Sequence, residues 1–344
     1  MSGCLHDAGR SAPGRTRPAR PFVTRPPPLV TAVVLNWNKA PESAQCVLAL
    51  RGQTHPNLRV VVVDNGSPEN SLGPLRDLDA PFLLLRNGAN LGFTGGVNTG
   101  IKHALSEGAD FVWLVNNDAA PAPDALELML RAFEADKGIG LASPTIRNGD
   151  AGDEVEFCGG LWEADAFHTT NDAATYERWR ETRPGRIWLV GTALLLRREL
   201  VEAVGLFDDR FFAYWEDNDY SVRSIRAGYR NVVVPGAVVR HWSGPRTDPG
   251  AKPPHYHYYM ARNEIMFLRK HVPLRRSLKP MVWAISRQSK QMERLHAFPG
   301  SVDAILRGLC DGLRGRGGAF HPGRSLSPAV AKPLRSVVGA LCNR

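Results

Sequence analysis

Four apolar segments in the first 115 residues each lead into a polar or glycine-rich run, and this repeated pattern constrains the fold more than any other feature. Leu29 to Leu35 runs into Asn36-Trp37-Asn38, and Leu58 to Val63 into Asp64-Asn65-Gly66-Ser67. Phe82 to Leu85 is followed by Asn90-Leu91-Gly92-Phe93-Thr94-Gly95-Gly96, and Phe111 to Val115 ends in Asn116-Asn117-Asp118. Each apolar run has the length of a buried strand. Between them lie helical stretches, from Pro41-Glu42 to about Arg51 and from near Gly95 to about Ser106, the first opened by a proline at a first-turn position. Strands alternating with helices predict an α/β fold with a Rossmann-like, mostly parallel central sheet, because parallel strands need crossover connections. Ligands of such sheets bind outside the carboxyl ends of the strands. A purely structural sheet has no reason to repeat polar tips along one edge.

Further along, the pattern loosens after Pro144 into an irregular polar stretch to about Gly185. Ile187 to Leu196 is apolar again, passing through Gly191-Thr192-Ala193. Gly205-Leu206-Phe207-Asp208 leads to Trp215-Glu216-Asp217-Asn218-Asp219, where a helix to Ala227 is expected. Asn231 to Val234 and Ala237 to Val239 read as two short strands, the second ending near His241, and Tyr256 to Lys270 as a helix. The chain therefore divides into a disordered basic Pro/Arg-rich tail (1–28), one α/β domain (29–270), a basic amphipathic helical extension (271–320) and a flexible tail (321–344).

The net charge of +9 splits into +4 over 1–28, −7 over 29–265 and +12 over 266–344. An acidic middle argues against a nucleic-acid reader, which carries positive charge on its binding face. It suits a domain that binds a metal. The five cysteines, Cys4, Cys46, Cys158, Cys310 and Cys342, show no metal-ligand spacing. That pattern predicts reduced thiols and a cytoplasmic protein. No apolar run approaches the roughly 18 residues of a membrane span, and the N-terminus lacks the apolar region of a secretory signal.

Asp118, at a strand tip, can hold a divalent cation through hard oxygen contacts; equally, Asn116 to Asp118 can form a turn before Pro121. About a hundred residues later comes a second acidic cluster, so one acid can bind metal while the other removes a proton. For Asp219 the simpler account is a helix N-terminus with an Arg223 partner at i, i+4. Asp217 sits among Phe211, Phe212, Tyr214 and Trp215, and a carboxylate in a partly apolar cleft can serve as a base. Trp215 and Glu216 would then face the acceptor. His241 is either a packed histidine or a metal partner beside Asp118. The run Asn90 to Gly96 is neither G-x-G-x-x-G nor a P-loop; its use is expected to be close approach of backbone to a ligand.

Taken in order, Val33-Val34-Leu35-Asn36-Trp37-Asn38, Val62-Val63-Asp64-Asn65-Gly66-Ser67, Asn90 to Asn98, Asn116-Asn117-Asp118, Gly205 to Asp208 and Glu216 to Asp219 resemble glycosyltransferase family 2. These are inverting nucleotide-sugar transferases of GT-A fold, and the likeness is to the rhamnosyltransferase-like bacterial branch. It covers roughly residues 30–270. The resemblance implies a nucleotide-diphosphate sugar donor held by Asn36, Asn38, Asp64, Asn90, Gly92, Gly95, Gly96 and Asn117. It further implies Mg or Mn at Asp118, which stands in the family's D-x-D motif, with His241 as a second ligand and Asp217 as catalytic base. Asn116 replaces the first acid of D-x-D, leaving one carboxylate in the motif. A glycan or lipid-linked acceptor and rhamnose as the sugar are what the branch suggests. Two other readings remain at this point: a catalytically silent nucleotide-sugar binding protein, which Asn116 would suit, and a sugar nucleotidyltransferase, which would carry a basic phosphate loop where Asn36-Trp37-Asn38-Lys39 stands.

In the extension, Met281, Ile285, Met292 and Leu295 line one helical face, with Trp283 nearby and Lys279, Arg287, Lys290 and Arg294 around them. Val302, Ile305, Leu306, Leu309 and Leu313 make a second amphipathic pattern. Such faces either lie in an anionic membrane interface, attaching the protein peripherally to the inner face of the plasma membrane, or pack on the catalytic domain.

Overall fold

The structure, a computed structural model, describes residues 26–150, 154–163, 166–242, 252–295 and 298–327, with Ala329 and Pro333. Most of both expected tails lies outside these residues. The inner ends of the tails are tied down: the Pro27 and Pro28 carbonyls accept hydrogen bonds from Asn57 and His55, and Arg324 forks onto Asp311 at 2.8 and 2.9 Å.

The expected strand and helix rhythm is present. β1 (Val30–Asn36), α1 (Ala40–Arg51), β2 (Leu58–Asp64), the short α2 (Gly73–Arg76), β3 (Leu83–Arg86), α3 (Gly92–Ser106) and β4 (Phe111–Asn116) build the first half. β1, β2 and β4 are almost wholly buried, as parallel strands covered on both faces must be. β1 pairs in parallel with β2 and β4, and β2 with β3. The register sets Asn36 beside Asp64 and Leu35 beside Asn116, so the polar tips share one edge.

The second half comprises β5 (Ala119–Pro121), α4 (Ala125–Ala135), β6 (Ile139–Asn148), β7 (Val155–Phe157), β8 (Gly159–Glu163), β9 (Ala166–Thr170) and α5 (Ala173–Thr182). It continues through β10 (Ile187–Trp188), β11 (Ala193–Arg197), α6 (Arg198–Val204), α7 (Glu216–Arg226) and β12 (Arg230–His241). The large sheet runs β3-β2-β1-β4-β11-β6-β12-β5, with β7 on β6, and β10-β8-β9 form a second, smaller sheet. β11 enters antiparallel to both β4 and β6. The stretch after Pro144, expected to be irregular, instead holds the end of β6, the short strands β7, β8 and β9, and the helix α5. Pro144 is tolerated inside β6 because the register of its partner β12 jumps from Val234 to Val238 opposite it; Pro235-Gly236 bulge out where proline offers no N–H. For the same reason the two strands expected at 231–239 are one.

Three helices close the chain: α8 (Pro254–His271), α9 (Leu274–Arg294) and α10 (Pro299–Arg314). Met281, Ile285, Met292, Leu295, Val302, Ile305 and Leu309 pack with Ala261, Ile265 and Phe267 of α8. The apolar faces that could have lain in a membrane interface are thus used inside the protein. α8 and α10 cross closely at Gly308, where a Cβ would meet the Tyr258 carbonyl at 2.5 Å. Val282, Trp283 and Leu313 stay exposed. Among the described residues, no helix is long and apolar enough to cross a membrane.

Candidate active site

Asp64 is fully buried at the tip of β2, where its carboxylate accepts hydrogen bonds from Asn36 (2.8 Å), the Ser67 amide (3.2 Å) and Arg86 Nε (3.3 Å). The network continues from the Asn36 amide oxygen to Ser43 (2.9 Å) and from Asn117 to the same hydroxyl (3.3 Å). Ser67 Oγ also accepts the Asn38 amide at 2.8 Å, and Asn38 takes a left-handed φ of 55°. Three of the polar strand tips thus meet in one connected cluster. Each buried polar atom in it finds a partner, as burial requires.

The glycine-rich run is shaped by close contacts of its own. Asn90 Oδ1 accepts from the Gly92 amide and from Asn65, shaping the loop. A Cβ on Gly96 would strike Leu35 at 2.3 Å and one on Gly95 would strike Leu91 at 2.6 Å. The close approach at Gly96 lets α3 lie against β1, whereas that at Gly95 is to Leu91 of the same run. Gly92, at φ +75°, has the Phe212 carbonyl 2.5 Å from where its Cβ would be, so no other residue fits there.

Antiparallel pairing of β5 with β12 sets His241 opposite Ala119 and brings its imidazole to Asp118, with Nε2 3.2 Å from Oδ1. The other ring nitrogen lies 3.6 Å from Glu156 on β7. Burial disfavours the imidazolium, but Asp118 and then Glu156 outweigh it, so His241 titrates above its ordinary value. Sequence reasoning missed Glu156 because it lies in the stretch taken as irregular; only the short alternation in Val155-Glu156-Phe157 could have signalled it. A cavity of about 570 Å³ opens beside Asp118, bordered by Lys39, Glu42, Asn117 and Trp242.

This pair suits a hard divalent ion. Asp118 Oδ1 is buried with no hydrogen-bond partner of acceptable geometry, despite the nearby imidazole, and an unmet buried acceptor is costly unless something binds it. One carboxylate and one imidazole are acceptable donors for Mg²⁺ or Mn²⁺. Among the described residues no group of three or more His, Cys, Asp or Glu is arranged to hold a metal alone. A metal here needs further ligands from a substrate, which is the usual way Mg²⁺ is held on phosphates.

Asp217 lies in the first turn of α7. Its carboxylate accepts from the Gly191 amide (3.0 Å) and the Asn218 amide (2.8 Å). Burial raises its pKa against the opposing pull of these amides. Glu216 is more strongly affected: burial and then the charge of Asp217 push it well above the glutamate range, and its Oε2 has no partner. Burial and the neighbouring charge therefore favour the neutral form of Glu216. Trp215, on the same turn, packs on Phe167 and Phe267, and its indole nitrogen is buried without a partner. Gly191 was noted in the sequence only as part of an apolar run.

Asp219 points away from this site. Fully buried, it is held by Arg223 (2.9 Å), Lys270 (2.8 Å) and His271 Nε2 (2.7 Å). Since Arg226 can only donate to His271 Nδ1, the histidine donates a hydrogen bond from Nε2–H to Asp219. Burial, the largest cost, is outweighed by these partners, and the Asp219 pKa is lowered.

The model of Glycosyl transferase family 2 matches residues 31–205. N-acetylglucosaminyl-diphospho-decaprenol L-rhamnosyltransferase of Mycobacterium tuberculosis is 28% identical over 62% of this chain and 76% of its own length. The dTDP-rhamnosyl transferase RfbF of Shigella flexneri is 23% identical over 83% and 96%. Galactofuranosyltransferase GlfT1 of Mycobacterium tuberculosis is 32% identical over 58% and 65%. The mannosyltransferase PcManGT from Pyrobaculum calidifontis, solved with GDP-Man and Mn²⁺, shares the fold with a TM-score of 0.52 at 20% identity, over 92% of this chain and 81% of that one. GalNAc-T7, solved with UDP, GalNAc and Mn²⁺, has a TM-score of 0.59 at 15% identity, over 86% and 56%.

Proposed function

The chain belongs to glycosyl transferase family 2 and is a glycosyltransferase, and on that premise we propose that it moves a sugar, with inversion, from a nucleoside-diphosphate donor to a hydroxyl of a lipid-linked glycan. The observation that carries this reading is the separation of two acids. Asp118 faces His241 with an unmet buried oxygen, while Asp217 is held by backbone amides on another element. Rhamnose is the sugar we infer, from the rhamnosyltransferase relatives; their diphospho-decaprenol acceptor suggests the acceptor class.

In this reading the Asp64 cluster holds the nucleoside end of the donor, and Asp118 with His241 would hold a divalent ion. When bound, that ion offsets negative charge on the departing nucleoside diphosphate. Asp217 accepts the proton from the acceptor hydroxyl as its oxygen bonds to the anomeric carbon. The bond from that carbon to the diphosphate oxygen breaks on the opposite face, so the configuration inverts. Neutral Glu216 lets Asp217 carry the single charge of the pair. Exclusion of water matters because hydrolysis of the donor competes.

The test is transfer from dTDP-rhamnose to a synthetic diphospho-polyprenyl N-acetylglucosamine by the wild type and by Asp217→Asn. Product with the wild type, and at least about a hundredfold less with the variant, whose donor affinity is unchanged, is the expected outcome. Undiminished transfer by the variant removes Asp217 from the role of base.

A further inference from the structure

The segment 210–215, which delivers Asp217 to its place, is strained. Phe212, Tyr214 and Trp215 adopt φ of 64°, 67° and 71°, a left-handed conformation that bulky residues rarely accept. Three such residues in four persist only where the surroundings over-determine them. The surroundings here are two adjacent side chains on α8, both fully buried. Asn263 shares its two amide protons among the carbonyls of Phe211 (3.0 Å), Ala213 (2.8 Å) and Tyr214 (2.7 Å). Arg262 donates to the carbonyls of Arg210 (3.0 Å), Phe211 (2.6 Å) and Gly318. Arg262 Nε also donates to Asn263 Oδ1 at 2.7 Å, which orients the amide. The faces of Tyr258 and Tyr259 cover the guanidinium at 5.1 and 4.9 Å.

From these contacts we infer that Asn263 and Arg262 are positioning residues for catalysis: they clamp 210–215 so that Asp217 sits at the acceptor hydroxyl. The inference rests on the reading of Asp217 as base. A fully buried guanidinium and amide beside the apolar Ala261 and Ile265 are an expensive way to pack α8, since apolar residues would fill the space at lower desolvation cost. All but one of their carbonyl partners lie in the strained segment. On its other side that segment meets the donor loop: the Phe212 carbonyl accepts the Thr94 amide at 3.2 Å and lies where a side chain on Gly92 would be. The clamp thus fixes one wall shared by the two halves of the site. Small displacements of a catalytic group are enough to cost about a hundredfold in rate.

The experiment compares Asn263→Ala and the isosteric Asn263→Asp, which keeps the volume but replaces the donor by an acceptor, with Ile265→Val on the same helix. Asp217→Asn is measured alongside. The expected result is a fall in kcat of about a hundredfold for either folded Asn263 variant, with donor KM changed by less than about threefold. Backbone amides of 211–216 should exchange faster, with those of β1 and β4 unchanged. Ile265→Val should lower the melting temperature and leave kcat alone. Wild-type kcat in either folded Asn263 variant, or an equal loss of kcat in Ile265→Val, overturns the inference. Normal transfer by Asp217→Asn would instead remove the base assignment, while the exchange of 211–216 still reports whether the clamp exists.

Discussion

In the proposed mechanism the residues that decide the chemistry are few, and each acts through its surroundings. Two adjacent acids on α7 differ because Glu216 is buried against the charge of Asp217, whereas Asp217 receives two backbone amides. That difference predicts opposite outcomes for conservative changes. Glu216→Gln, which mimics the neutral acid, should keep transfer within about threefold of wild type, whereas Asp217→Asn loses it. A base must be ionised to act, and burial raises the Asp217 pKa, so kcat should fall on acidification at a pH above the ordinary aspartate value of about 4. A kcat profile flat down to that value would contradict the assignment. At this scale the sequence drew attention to Asp64, Asp118, Asp217 and His241, because acids and amides at strand tips stand out from the apolar runs before them. It was silent on Asn263, Arg262 and Glu156. A buried polar residue inside a helix and an acid in a three-residue strand leave no periodic mark, and their meaning lies in contacts about 50 or more residues away along the chain.

Elements place these residues by pairing and by ion networks. The antiparallel seam between β5 and β12 carries His241 to Asp118, and no local pattern announces a partner over a hundred positions away. α7 is fastened to α8 through Asp219, whose carboxylate accepts hydrogen bonds from Arg223, Lys270 and His271. Removing one partner of such a buried group leaves the rest uncompensated, and Asp219→Asn should cost about 3 kcal/mol of stability at neutral pH. The folded-state pKa of Asp219 is lowered, so its contribution is complete above the unfolded value and fades as pH falls through the folded one. Denaturant unfolding of wild type and variant should therefore converge in acid; a gap that is constant or widens on acidification would contradict this. Strands and helices with clean periodicity were legible to within about three residues, the start of α3 at Gly92 rather than near Gly95 being the widest miss. The segment from Pro144 to Gly185 was not, since its strands are short and one contains proline, which only the bulge in β12 accommodates.

For the whole molecule, the last three helices are part of the catalytic body. Their apolar faces form one buried cluster, and the clamp on 210–215 issues from α8. What α9 leaves outside is a stripe of Lys279, Trp283, Arg287, Lys290 and Arg294, with Lys279 stacked on the indole at 5.0 Å. A lipid-linked acceptor would be met at an anionic surface, to which such a stripe contributes about 1 kcal/mol per basic residue. The triple change Lys279→Glu, Lys290→Glu and Arg294→Glu should then reduce co-flotation with phosphatidylglycerol vesicles at least about tenfold without altering the melting temperature by more than a few degrees. Equal flotation of the two proteins would leave the stripe without that role.

The central claim is that a divalent ion, Asp118 and the donor's diphosphate assemble together, and calorimetric titration with dTDP, with and without Mn²⁺, tests it most directly. The account predicts binding by the wild type that weakens at least about tenfold when Mn²⁺ is withheld, and no such dependence in Asp118→Ala. Binding that is equally tight with and without the ion, or metal-dependent binding retained in Asp118→Ala, would contradict it.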